Sequence, residues 1–144
     1  MPDSYSKQAS LLTYLGAIPF VICAIAIVFG FEQEKALFVL RAYAAVIVAF
    51  ISGIHWGIGM KDPQQKAVWL FATSNAISLL AWGSLLMQQA IYALLVIVLS
   101  LIFLLIIDAK IYQLRQIDAQ FLKLRCRVTL VVVIALLISA VAVV

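Results

Sequence analysis

The chain contains one histidine, His55, and this residue lies inside the apolar stretch of residues 42–60. Its immediate neighbours form the run Gly53-Ile-His-Trp-Gly57. An imidazole changes its charge near neutral pH and is also a common metal ligand. The sequence therefore leaves three roles open for His55: a hydrogen-bonded side chain that joins helices, a proton relay or ion site, and a haem or metal ligand.

Two other polar side chains, Asn75 and Tyr14, are expected in the same layer, and Asp108 at the inner end of the fourth predicted helix could close the cluster from below. His55 lies six residues before Lys61, which places it about 9 Å inside that helix end at about 1.5 Å per residue. Asn75 is about 13 Å deep by the same measure. Polar groups at membrane depth usually face the bundle interior and find a partner. The sequence predicts a polar intramembrane site made by His55, Asn75, Tyr14 and Asp108.

Hydrolytic chemistry fits this pattern poorly. Ser52 stands three residues before His55, and on a helix this spacing alone does not align a nucleophile with a base. The sequence has no GxSxG, HExxH or Walker motif. Two cysteines and one histidine do not by themselves make a tetrahedral zinc site. We expect no catalytic residue, no metal site and no enzyme.

The composition sets the class of the protein. Hydrophobic residues make up 67% of the chain and charged residues 11%, whereas a soluble domain is about 45–50% apolar and about 25% charged. The apolar runs are continuous and about 18–24 residues long, which favours membrane-spanning helices over the short alternating strands of a barrel. The sequence predicts an all-α membrane protein with a single transmembrane domain over residues 1–144. The net charge of +4 therefore concerns membrane orientation, and we expect no nucleic-acid partner.

Five transmembrane helices are predicted, at residues 10–30, 37–60, 67–87, 90–107 and 128–144. The first is long enough to span, so we expect an uncleaved helix rather than a signal peptide. Residues 109–127 alternate apolar and basic positions at helical spacing, the pattern of an amphipathic helix in the headgroup plane. Its basic side chains are predicted to contact lipid headgroups: Lys110, Arg115, Lys123, Arg125 and Arg127.

Basic residues are distributed unequally between the two sides. Eight of the ten share the side of the N-terminus: Lys7, Lys61, Lys66, Lys110, Arg115, Lys123, Arg125 and Arg127. Because basic loops stay in the cytoplasm, the N-terminus is predicted to be cytoplasmic and the C-terminus periplasmic. This face should favour a bilayer with anionic headgroups. Arg41, on the other side, is expected to snorkel outward or to pair with Glu34.

Small residues recur along the second helix, and Gly53 and Gly57 form a GxxxG motif. Small side chains let helix backbones approach closely in lipid. We expect these positions to pack inside the bundle or between copies of the chain: Ala45, Ala49, Ser52, Gly53, Trp56, Gly57 and Gly59. The alternative is a flat ligand, haem or quinone, against the glycines.

One block of sequence is specific enough to suggest a family. It is Phe50-Ile-Ser-Gly-Ile-His-Trp-Gly57, and weaker matches lie at residues 15–20, 79–82, 108 and 124–129. Through these residues the chain resembles the integral-membrane family called domain of unknown function 3429, the transmembrane protein 69-like family. The resemblance covers nearly the whole chain. It implies a five-span protein of a bacterial or mitochondrial inner membrane, and it transfers no catalytic residue. The lack of an Arg- and Ser-rich transit segment favours the bacterial inner membrane.

These observations rank three functions. The first is a non-enzymatic accessory or interaction protein of the cell envelope or of a larger membrane complex. The second is a small proton- or ion-handling protein that uses the polar layer around His55. The third is a haem- or quinone-binding membrane protein, although no cofactor is predicted outright.

Overall fold

The computed structural model describes residues 3–61, 68–114 and 117–143, and these residues fold into five α-helices. The fold is all-helical, as the composition predicts. In chain order the helices are α1 Asp3–Val28, α2 Gln33–Lys61, α3 Trp69–Leu85, α4 Ala90–Gln113 and α5 Ala119–Ala142.

Four of these helices are long and apolar enough to cross a membrane: α1 from Lys7 onward, α2, α4 and α5. The remaining helix, α3, has 17 residues. At about 1.5 Å per residue it is roughly 26 Å long, slightly less than the ~30 Å of a typical hydrocarbon core. The chain is therefore a multipass membrane protein in which four helices are long and apolar enough to span the membrane, and one shorter apolar helix packs beside them.

The turn between α1 and α2 depends on a glycine. Gly30 has φ of 72°, a left-handed conformation that costs a residue without Cβ little. The N–H of Phe31 donates to the carbonyl of Ala26 at 2.9 Å, and the N–H of Gly30 donates to that of Ile27 at 3.2 Å. This is a Schellman motif, which closes the last turn of a helix. It reverses the chain, so that α2 runs back along α1.

The helices form a closed ring. Each helix packs against the next one in the chain, α5 returns to pack against α1, and α2 also contacts α4 across the ring. The core contains fully buried apolar side chains from several helices, among them Phe20, Leu40, Leu94 and Leu136. Large apolar side chains also cover the outside of the bundle, as expected of a surface that faces acyl chains. The α2–α4 contact matters most here, because it brings the end of α2 beside the end of α4.

The predicted amphipathic helix over residues 109–127 is not a separate element among the described residues. Residues 109–113 continue α4, and residues 119–127 form the first turns of α5, which begins at Ala119 rather than at residue 128. The physical reason is visible in the burial of the apolar stripe. Ile111 is fully buried, and Ile117 and Leu124 pack against the same core. The helical periodicity of residues 109–127 therefore reflects a face that packs on the core of the bundle, not a face that lies in the headgroup plane.

Two further predictions concern residues that the description does not reach. The turn expected at residues 61–66 lies outside it apart from Lys61, and so does Arg115. The other predicted helix boundaries differ from the observed ones by a few residues, which is common at helix ends.

Candidate functional site

Three ionisable side chains from three helices meet inside the bundle. Nε2 of His55 on α2 lies 2.7 Å from Oδ1 of Asp108 on α4. Nε of Arg125 on α5 donates to the other oxygen, Oδ2 of Asp108, at 3.0 Å. His55 and Asp108 are each 1% exposed and Arg125 is 7% exposed. We call these residues the charge cluster.

The ends of the three helices set the depth of the charge cluster. Each residue of the charge cluster lies five or six residues from a helix end. For His55 this is the end of α2, for Asp108 the end of α4, and for Arg125 the start of α5. These ends lie on one side of the bundle, because α4 and α5 form a hairpin and α2 contacts α4. The charge cluster is therefore about 8–9 Å inside the helix ends, at about 1.5 Å per residue.

Two nitrogen atoms of the charge cluster are buried without a partner. Nδ1 of His55 and Nη2 of Arg125 make no hydrogen bond to any group that the structure describes. Both oxygens of Asp108, in contrast, are engaged. The carboxylate of Asp108 is thus the centre of the cluster, and His55 and Arg125 each retain a nitrogen atom without a hydrogen bond to the described residues.

The electrostatics of the charge cluster follow from its composition. A lone buried charge is expensive, and an opposite charge with good hydrogen bonds offsets part of that cost. Arg125 and Asp108 form such a pair. The imidazole of His55 contacts the other oxygen of the same carboxylate, so Asp108 orients the ring through Nε2.

The structure brings together two of the four residues predicted for the polar site, His55 and Asp108. It does not bring Tyr14 or Asn75 to them. Tyr14 is 44% exposed and lines a groove between α1 and α5, and Asn75 is exposed on α3. Asp108 was predicted below the layer of His55 and is in direct contact with it. The rotation of α1 and α3 about their axes turns Tyr14 and Asn75 outward.

Arg125 is the member that the sequence prediction assigned elsewhere. It was predicted to contact lipid headgroups, and this is wrong, because its side chain points inward to Asp108. Of the other residues in that prediction, Lys123 and Arg127 are exposed, and Lys110 lies over the ring of Trp69 with Nζ 4.6 Å from the centroid. This cation–π contact places Lys110 beside the start of α3.

The small residues of α2 divide into two groups. Ala45, Ser52 and Gly59 are buried inside the bundle, consistent with packing between helices of one chain. Ala49, Gly53 and Trp56 instead lie at the surface, and Gly57 is half-buried. An added Cβ at Gly53 or Gly57 would meet nothing within 4 Å. The internal packing of this chain therefore does not require either glycine.

Arg41 occupies a separate site at the opposite end of the bundle. Its Nη2 donates to the carbonyls of Met87 at 2.7 Å, Ser84 at 3.0 Å and Leu85 at 3.3 Å. These are backbone oxygens at the end of α3, where the helix dipole is negative. Arg41 therefore neither snorkels outward nor pairs with Glu34, as the sequence suggested, but caps a neighbouring helix.

The family comparison agrees with the block around His55. A family model described as "Protein of unknown function (DUF3429)" matches residues 5–141. The chain belongs to this family. The charge cluster of this DUF3429 protein lies entirely within the matched residues. The resemblance inferred from the sequence is confirmed.

One curated relative is also similar. Transmembrane protein 69 of Xenopus tropicalis is 33% identical over 88 residues, which cover 59% of this chain and 35% of that protein. The chain thus spans only part of the length of the relative that it matches. No solved structure matches the chain. The comparisons establish a membrane protein of the DUF3429 family.

Proposed function

We propose that this DUF3429 protein is a small proton- or ion-handling protein of the inner membrane, and that His55 in the charge cluster binds the proton. One observation carries the proposal, the 2.7 Å contact between Nε2 of His55 and Oδ1 of Asp108 in a fully buried position. Ionisable residues inside a membrane are rare and usually mark ion or proton sites. The buried pair favours this function over the accessory role that the sequence ranks first.

The three residues divide the work of such a site. His55 supplies the imidazole that binds and releases the proton. Asp108 orients the ring through its contact with Nε2. Arg125 balances the charge of Asp108. The cluster then alternates between a net charge near zero and a net charge near +1, and no catalytic step is required.

The test is proton flux through liposomes that contain the purified protein and a trapped pH indicator. We expect the protein to accelerate the collapse of an imposed pH gradient, and we expect His55→Ala and Asp108→Asn to abolish this acceleration. Asp118→Asn removes an exposed acid and should leave the flux unchanged. The proposal would be overturned if liposomes with the wild-type protein lost the pH gradient no faster than empty liposomes. This comparison is made with sodium, potassium and chloride in turn as the accompanying ion.

A second candidate is an accessory protein that packs against a larger membrane complex. It is favoured by the surface position of Ala49, Gly53 and Trp56, since small residues outside the bundle offer a close approach to another helix. Cross-linking in native membranes tests it. Gly53→Leu and Gly57→Leu should remove a wild-type cross-link, and because an added Cβ has free space at both sites, the fold should persist. An unchanged cross-linking pattern would exclude this surface.

The placement in the membrane belongs to the same proposal. Five spans, counting α3 as a short one, put the N-terminus in the cytoplasm and the C-terminus in the periplasm of a bacterial cell. The exposed Lys61, Lys123 and Arg127 then face anionic headgroups on the cytoplasmic side. Reporters fused after residues 87 and 144 should both be periplasmic. A cytoplasmic signal at either position would contradict this topology.

Haem or quinone binding stays a prediction from the sequence. As an axial ligand His55 would have to give up its contact with Asp108 or use the buried Nδ1. A Soret band or an extractable quinone in the purified protein would favour this function over proton handling.

A further inference from the structure

Asn75 is a polar side chain that the charge cluster does not use. It is exposed on α3 and lines a groove of about 290 Å³ together with Gly53 and Trp56 of α2 and Ser78 of α3. Gly53 is eight residues before Lys61, so the groove lies about 12 Å inside the end of a membrane-spanning helix. The carboxamide of Asn75 is therefore at a depth where the surroundings are hydrocarbon.

Two serine hydroxyls that line the groove are already engaged in other hydrogen bonds. The hydroxyl of Ser52 donates to the carbonyl of Val48 at 2.9 Å, and that of Ser74 donates to the carbonyl of Leu70 at 2.5 Å. Asn75 has no hydrogen-bond partner among the residues that the structure describes. An amide placed in hydrocarbon without a partner costs several kcal/mol by transfer measurements, about 4–8 from water to cyclohexane. A partner outside the monomer that offers both a donor and an acceptor would remove this cost.

We propose that a second copy of this chain occupies the groove between α2 and α3, and that the two Asn75 side chains hydrogen-bond to each other across a two-fold axis. A carboxamide has one oxygen acceptor and an NH₂ donor, so it is its own complement. A two-fold axis brings the same patch of both copies together, and an axis that passes beside Asn75 places it opposite Asn75 of the second copy. Acyl chains offer no such partner.

The shape of the groove supports the same occupant. An added Cβ at Gly53 or Gly57 meets nothing within 4 Å, so the α2 surface is flat and open beside Asn75. Small residues allow close approach of helices in lipid, and asparagine adds an interhelical hydrogen bond. This inference is independent of the proton-handling proposal, because no residue of the charge cluster lines the groove.

The test is the dimer fraction in lipid bilayers, measured by single-molecule photobleaching over a range of protein densities. Wild-type protein should dimerise, and Asn75→Leu should weaken the dimer roughly tenfold, the scale expected for loss of a hydrogen bond of 1–2 kcal/mol between membrane helices. Gly53→Leu should weaken it as well by filling the groove. Leu99→Ala, at an exposed position on α4, is the matched control and should dimerise like the wild type.

A cross-linking measurement locates the contact. With Cys23→Ala and Cys126→Ser as background, Ser78→Cys should form a disulfide between two copies under mild oxidation, and Leu99→Cys should not. A wild-type protein that is monomeric at all densities would overturn the proposal and leave a lipid headgroup, a quinone or another protein as the partner of Asn75. Undiminished dimers of Asn75→Leu would overturn it too.

Discussion

Two arginines, Arg125 buried and Arg41 half-buried, lie at opposite ends of the bundle and bind different kinds of hydrogen-bond acceptor. Arg125 meets a carboxylate, Asp108, which also binds the imidazole of His55. Arg41 meets only backbone carbonyls at the end of α3. One arginine thus belongs to a network of ionisable side chains, and the other completes the hydrogen bonding of a helix end.

Under the proposed function, this difference separates an arginine that joins two helices from one that belongs to the proton site. The carbonyls around Arg41 are backbone groups, and this arginine joins α2 to the end of α3. Arg125 instead shares its partner Asp108 with the imidazole of His55.

The largest expected effect comes from removing the hub of the charge cluster. Asp108→Asn leaves Arg125 buried without a counter-charge, and loss of one partner of a buried pair costs about 3–5 kcal/mol. Unfolding in mixed micelles with increasing SDS measures this loss. Asp118→Asn, on the exposed residue before α5, should change stability little. Equal stability of wild type and Asp108→Asn would mean that the pair does not form.

Removal of both members of the pair should be milder than removal of one. A buried ion pair can be replaced by apolar residues of similar volume at little cost, so Asp108→Leu with Arg125→Met should recover most of the stability that Asp108→Asn loses. The recovered protein should still lack proton flux, because His55 has lost its carboxylate. Recovery of stability together with flux would show that His55 acts without the cluster.

The other arginine should give a smaller effect. Arg41→Met removes charge-assisted hydrogen bonds to the end of α3, worth about 1.5–3 kcal/mol. Proton flux should persist in this variant, since Arg41 is far from the charge cluster along α2. Lys35→Met, which removes an exposed pair with Glu32, is the control. If Arg41→Met lost proton flux but kept the stability of the wild type, Arg41 would act in proton handling and not only in joining α2 to α3.

The smallest expected effect concerns Lys110. Its contact with the Trp69 ring should contribute about 0.5–1 kcal/mol at a partly exposed site. Lys110→Met should therefore lower stability slightly and equally at all pH values from 5 to 8. A loss as large as that of Asp108→Asn would mean that Lys110 also supports the charge cluster.

The sequence predicted the helices because their apolar runs are long, and it placed Asp108 just below the layer of His55. It did not predict which way each helix faces, because nearly continuous apolar runs such as those of α1 and α3 carry little periodicity. Tyr14 and Asn75 were misplaced for this reason.

Arg125 could have been found by the symmetry of a hairpin. It is 17 residues from Asp108, and the centre of that interval falls in the connection between α4 and α5. In two antiparallel helices, residues equally distant from the turn lie at the same depth. Because residues 109–127 are rich in basic side chains, they were predicted to contact lipid headgroups. The apolar face that packs on the core was interpreted as a face that contacts lipid.

The most direct test of the charge cluster uses the fact that the chain has one histidine. In protein labelled with ¹⁵N-histidine and placed in bilayers, every imidazole nitrogen signal comes from His55. We predict that Asp108→Asn shifts the Nε2 signal and that Asp118→Asn leaves it unchanged. Identical spectra for wild type and Asp108→Asn would contradict the contact between His55 and Asp108, and with it the proposed site.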